Sequence, residues 1–170
     1  SQQYSSVILA AANSITQQSP NYPSAGVNSL ADQLKIVARL VAGGLKTKVY
    51  MVNLGGFDTH SAQVDSGSPA TGNHADLLSK LSVGVKAFMD DLDYLGIEDR
   101  VVGMTFSEFG RRIKENASDG TDHGAAAPMM IFGQPVQSGI VGTNPVIPAT
   151  VATSDNIPMQ YDFRSVYASI

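Results

Sequence analysis

Two apolar runs rich in β-branched residues, KVYMVNL (48–54) and RVVGMTF (100–106), flank one long amphipathic pattern, and this order restricts the folds open to the chain. In HADLLSKLSVGVKAFMDDLDYLG, the residues Leu77, Leu81, Val85, Phe88, Leu92 and Leu95 recur at spacings of 4, 4, 3, 4 and 3. That is the repeat of a helix with one buried face. Asn73 is placed to cap its start and Gly96 its end. A third apolar run, PMMIFG (128–133), follows after a polar loop. Alternation of this kind predicts an α/β fold: a mostly parallel sheet with helices on both faces.

The remaining segments fit around that frame. SLADQLKIVARLVAGG carries Leu30, Leu34, Val37 and Val41 on one helical face and stops at Gly43-Gly44. An alanine-rich helix opens the chain, and SPNYPSAGVN (19–28) is a turn-rich linker. The tail, 134–160, is rich in Pro, Gly, Thr and Ser and reads as short edge strands and loops. Asp162 is placed as the N-cap of a last helix that has barely begun. Both ends look cut, which suits a single α/β domain over 1–170 that is the C-terminal portion of a longer protein. A chain of 170 residues can bury a substantial core. Net charge is −4 with no Lys/Arg block, so a nucleic-acid partner has no electrostatic footprint. The absence of cysteine excludes disulfides, thiolate metal sites and a cysteine nucleophile. No apolar run approaches the ~20 residues of a membrane span.

In open α/β sheets, ligands bind beyond the carboxyl ends of strands. GGFDTH (55–60) follows the first run, SEFGRR (107–112) the second, and GTDHG (120–124) lies before the third. Folded to one rim, they would bring Asp58, His60, Glu108, Asp122 and His123 together. Imidazole with carboxylate favours Zn²⁺, Mn²⁺ or Fe²⁺ over Ca²⁺ or Mg²⁺. Asp-x-His lets both side chains of an extended segment point the same way. Each cluster also has a plainer reading. Asp-Thr-His in a loop is what an Asx-turn with an exposed histidine looks like. Ser107 with Glu108 suits a helix start, Asp-His suits a solvated turn, His74 opens a helix, and Arg111 and Arg112 suit a charged surface. Two of the three histidines nevertheless fall beside an aspartate in glycine-bounded loops, and that coincidence points to a shared cation.

The order GGFDTH, a histidine before a long helix, DRVVGMTFSEFGRR, GTDHG and DFRSVYASI resembles the bacterial family known as domain of unknown function 1501. That family looks like a branch of the alkaline phosphatase, sulfatase and phosphoglycerate mutase superfamily. The resemblance implies a three-layer α/β/α sandwich and metal-dependent hydrolysis of phosphate or sulfate esters, with a small-molecule or glycan ester as substrate and zinc or manganese as cofactor. Asp58, His60 and His123 stand at places similar to the superfamily's ligands of one metal. Where a second metal would take an Asp-His pair, this chain has Glu108-Phe109, and phenylalanine cannot ligate. Glu108 becomes a further ligand or base, and Arg111 a candidate to stabilise anionic charge. The hydroxyl nucleophile would lie upstream of residue 1. The resemblance alone implies a periplasmic or extracellular location; the absence of cysteine fits a cytosolic and an exported protein equally well. Against the hydrolase stands a non-catalytic binding or structural domain that kept the scaffold, a reading that Phe109 favours.

Overall fold

A computed structural model describes residues 2–170. The elements in chain order are helices α1 (Gln2–Ser14), α2 (Ser29–Ala42) and α3 (Asn73–Tyr94), a 3₁₀ turn (Glu98–Arg100), strands β1 (Gly103–Met104), β2 (Gly110–Arg111), β3 (His123–Gly124) and β4 (Ile131–Phe132), and helix α4 (Phe163–Tyr167). They divide between two compact units, Ser1–Gly56 with Asp76–Val101, and Phe57–Ala75 with Val102–Ile170.

The first unit is helical. Asn28 caps α2 by accepting from the main-chain N–H of Leu30 and Ala31, and its Nδ2 donates to Lys80 O on α3 at 2.7 Å. The buried stripe of α2 is Leu30, Ala31, Leu34 and Ala38. It is rotated from the Leu30, Leu34, Val37 and Val41 face expected, because small alanines admit neighbouring backbone more closely than valines do. Gly43 shows how close: a Cβ there would sit 2.1 Å from Ala11 O of α1. From α3 the core takes Ala87, Phe88 and Leu92. Burying Leu92 fully stabilises the unit by on the order of 2 kcal/mol. Gly96, at φ +65°, closes α3 as expected. Asn73 lies at the first position of α3 rather than before it, and its Nδ2 donates to Ala62 O at 2.9 Å.

One carboxylate lies inside this core. Asp91 is fully buried on α3 and accepts from Gln18 Nε2 (2.7 Å), Ser19 N (2.7 Å) and Tyr22 Oη (3.1 Å). The turn-rich linker 19–28 is thereby stapled to the helix. Burial, reinforced by the Asp91 charge and the hydrogen bond to it, pushes the Tyr22 hydroxyl far above its ordinary pKa.

The three-layer sandwich with a mostly parallel sheet is not what forms. Among the described residues the strands make two separate two-residue pairs, both antiparallel: β1 with β4 (Gly103 opposite Phe132) and β2 with β3 (Arg111 opposite His123). The reason lies in the connections. Parallel neighbours need a crossover that carries the chain back, usually a helix. The segment between β1 and β4 holds only loops and the β2–β3 pair, so the chain doubles back and pairs antiparallel. The run 48–54 belongs to no strand. Val49 and Met51 stand 82% and 78% exposed, so its apolar character is not spent on a sheet interior. A side chain makes a ladder-like contact to it: the Gln33 amide donates to Asn53 O (2.8 Å) and accepts from Asn53 N (3.0 Å). At the tail, Asp162 caps α4 as expected by accepting from Arg164 N.

Candidate metal centre

All of the candidate site lies in the second unit, and backbone clips build it. Thr121 N donates to Thr59 O (3.2 Å), Ala62 N to Ser118 O (3.0 Å) and Gln63 N to Asp119 O (2.8 Å). These bonds lay the GGFDTH loop along the loop that ends in GTDHG. The β2–β3 pairing sets His123 opposite Arg111, and Arg112 N donates to Asp122 O at 3.0 Å. Ser107 starts no helix. Its Oγ donates to Phe109 O at 2.9 Å and the chain runs straight into β2.

Three side chains then tighten the frame. The Arg111 guanidinium donates to Thr121 O (2.5 Å), to Phe57 O and to Asp58 Oδ1 (3.1 Å). Gln63 Oε1 accepts from the hydroxyls of Thr59 (2.9 Å) and Thr121 (2.8 Å). Asn116 accepts from Ser118 N and Gly120 N and donates to His60 O (2.8 Å) and Asp122 Oδ1 (3.2 Å). Gly120 allows the approach, because a Cβ there would meet His60 C and O at 2.3 Å.

What this frame brings together is Asp58, His60 and His123. Asp58 Oδ1 lies 3.1 Å from His60 Nε2 and 2.8 Å from His123 Nε2, and one ligating atom from each of the three falls within 4.8 Å of the others. The imidazole rings are 4.8 Å apart, centre to centre. The hydrogen bond from His123, then that from Arg111 and the charges of His60 and His123, hold the Asp58 carboxyl below the usual carboxylate range. It is therefore an anion near neutral pH. Two nitrogens and one carboxylate oxygen form a group that could hold a metal ion. Bonds of ~2.1 Å in tetrahedral geometry set ligand atoms ~3.4 Å apart, so the two Asp58 contacts, 3.1 and 2.8 Å, need open by about 0.3 and 0.6 Å. The side chains of all three are about half exposed, which leaves room for a ligand from solvent.

The other expected residues fall around this group. Asp122 Oδ1 faces the second ring nitrogen of His60, Nδ1, at 3.1 Å. Hydrogen bonds from Asn116 and His60, with the Arg112 charge, hold its carboxyl low. Glu108 is exposed and outside the three-residue group. Phe109 stacks flat on His123, ring centres 3.8 Å apart and planes at 9°, with the Arg111 guanidinium 4.9 Å from its centre. His74 sits edge-on to Phe57 at 6.1 Å, and its Nδ1 is buried without a hydrogen-bond partner among the described residues.

Asn116 and Gln63 are the site residues that sequence reasoning misses. Asn116-Ala117-Ser118 does carry a signal, since an asparagine side chain often bonds the backbone two residues on. Gln63 carries none.

The family described as "Protein of unknown function (DUF1501)" matches residues 10–160 of this chain. No curated protein and no solved structure matches it.

Proposed function

This chain belongs to the family of proteins of unknown function DUF1501, and we propose that it binds a divalent cation, zinc or manganese, through Asp58, His60 and His123. The observation that carries the reading is a single atom: Asp58 Oδ1 meets Nε2 of both histidines within 3.1 Å. Two loops that lie 65 residues apart in sequence at Asp58 and His123 would not converge on one carboxylate oxygen for the sake of a loop turn.

The reaction we assign to the site is hydrolysis of a phosphate or sulfate ester. A cation held there supplies a Lewis acid that polarises the ester oxygen. The donor set and the order of the motifs support this. Arg111 gives its donors to two main-chain carbonyls and to Asp58, so we assign it to holding the Asp58 loop beside the ester. Glu108, exposed beside β2, we assign as the general base. A second reading, a cation-binding domain without turnover, is favoured by Phe109: its ring, stacked flat on His123, cannot ligate.

The test is metal analysis after mild purification, then a screen with aryl phosphate and aryl sulfate. We expect one Zn²⁺ or Mn²⁺ per chain and a higher melting temperature with Zn²⁺. At a hundredfold excess over Kd the gain is ~2.7 kcal/mol, or about 5–10 °C for a chain of this size. His60→Ala should abolish that rise while leaving the melting temperature without metal nearly unchanged, since the exposed ring adds little to the core. An undiminished rise in His60→Ala sinks the site. Stoichiometric metal without turnover selects the second reading.

A further inference from the structure

Asp122 stands outside the three-residue group yet touches it at one atom, His60 Nδ1. We propose that Asp122 is the positioning partner of His60: its carboxylate accepts the Nδ1–H, which turns the Nε2 lone pair towards Asp58 and His123. This rests on the cation-site reading and assigns a task that the three ligands cannot perform for themselves.

A neutral imidazole carries one N–H and one lone pair. His60 has a carboxylate oxygen 3.1 Å from each of its nitrogens, Asp58 at Nε2 and Asp122 at Nδ1. Only one of the two can receive the proton. In the metal-free protein Asp58 Oδ1 has Arg111 Nη2 at 3.1 Å on one lone pair, and we assign the other to the nearer imidazole, His123 Nε2 at 2.8 Å, whose proton a bound cation would displace. Asp122 Oδ1 has one other donor, Asn116 Nδ2, and so one lone pair remains for His60. The proton belongs on Nδ1.

The placement is built rather than incidental. The amide of Asn116 donates to Asp122 Oδ1 and to the main-chain oxygen of His60, so one side chain fixes both the ring's backbone and the ring's partner. Arg112 adds its N–H to Asp122 O at 3.0 Å and its guanidinium 3.9 Å from Oδ2. Partners of this kind fix the tautomer and ring orientation of metal-binding histidines, and their loss costs 10–100-fold in affinity.

Two variants and two readouts decide the matter. Histidine ¹⁵N shifts give the His60 tautomer at pH 8 in metal-free protein, and titration with Co²⁺ gives the affinity. Wild type should show the Nδ1–H form. Asp122→Ala should populate the Nε2–H form and bind Co²⁺ roughly 10–100-fold more weakly. Asp122→Asn should keep the wild-type tautomer and most of the affinity, because the Asn116 amide holds the oxygen of the new side chain inward. An Nε2–H tautomer in wild type, or an unchanged tautomer in Asp122→Ala, overturns the proposal. So does an Asp122→Asn protein that binds as poorly as His60→Ala, which would make Asp122 a ligand. Failure of wild type to bind Co²⁺ defeats the cation site alone, and the metal-free tautomer still decides the role of Asp122.

Discussion

Two glycines, each three residues before a proposed ligand, should respond to the same substitution in opposite ways. At Gly120 a Cβ would stand 2.3 Å from the main-chain carbon and oxygen of His60. Carbon atoms settle at ~3.5 Å or more, so Gly120→Ala must separate the two loops by about 1.2 Å. Backbone on backbone offers no flexible side chain to absorb that. Metal–ligand distances tolerate only about 0.2 Å. The shift therefore removes His60 from the set it shares with Asp58 and His123, and Zn²⁺ affinity should fall on the order of 100-fold, about 2.8 kcal/mol. The overpacking itself costs roughly 1–3 kcal/mol of stability. At Gly55 a Cβ meets nothing within 4 Å, and Gly55 is not among the positive-φ glycines. Gly55→Ala should bind Zn²⁺ as wild type does. Calorimetric titration with circular dichroism as the check on folding measures both. A folded Gly120→Ala protein with wild-type affinity would refute the claim that the abutment of these loops makes the site.

The helical unit supplies two further tests. Leu92→Ala removes a side chain with no exposure and should cost about 2–5 kcal/mol in urea unfolding; a loss under 1 kcal/mol would contradict its place in the core. Tyr22 sets a pH dependence. Its folded pKa is raised, so the native state keeps a proton that the unfolded chain releases near the ordinary value of ~10. The stability is thus complete below that pH and is lost as pH climbs above it. Tyr22→Phe should flatten the decline between pH 9 and 11, and an unchanged slope would mean that another group governs it.

How much of this was written in the sequence differs between helix, strand and site. The existence of the helices was legible from a 3.6-residue repeat, but their buried faces were only partly so: Ala31 and Ala38 displaced the valines on α2, and on α3 only Phe88 and Leu92 of the expected face are buried, beside Gly84, Ala87 and Asp91. The strands were not. Residues such as those of KVYMVNL favour an extended backbone, but the partner that completes a ladder is named nowhere in the run, and here Asn53 found a glutamine side chain. Asp91 was hidden for a related reason: one carboxylate on an otherwise apolar helix face looks like surface until Gln18, Ser19 and Tyr22 fold over it. Asp58, His60 and His123 were visible as chemistry, since glycine-bounded Asp-His pairs are unusual in a chain with three histidines. Their support by Asn116 and Gln63 was not, because an amide becomes a hub only once the loops have met.

The contacts that align the two loops end mostly on carbonyl oxygens and amide nitrogens: Phe57, Thr59, His60 and Thr121 each offer a peptide atom, whatever side chain the position carries. The scaffold is in this sense indifferent to which donors it presents. Exchanging Asp58 for glutamate or histidine, or His123 for aspartate, should retune which ion is preferred while the loops keep their course, making this small unit a versatile frame on which cation selectivity can drift or be designed.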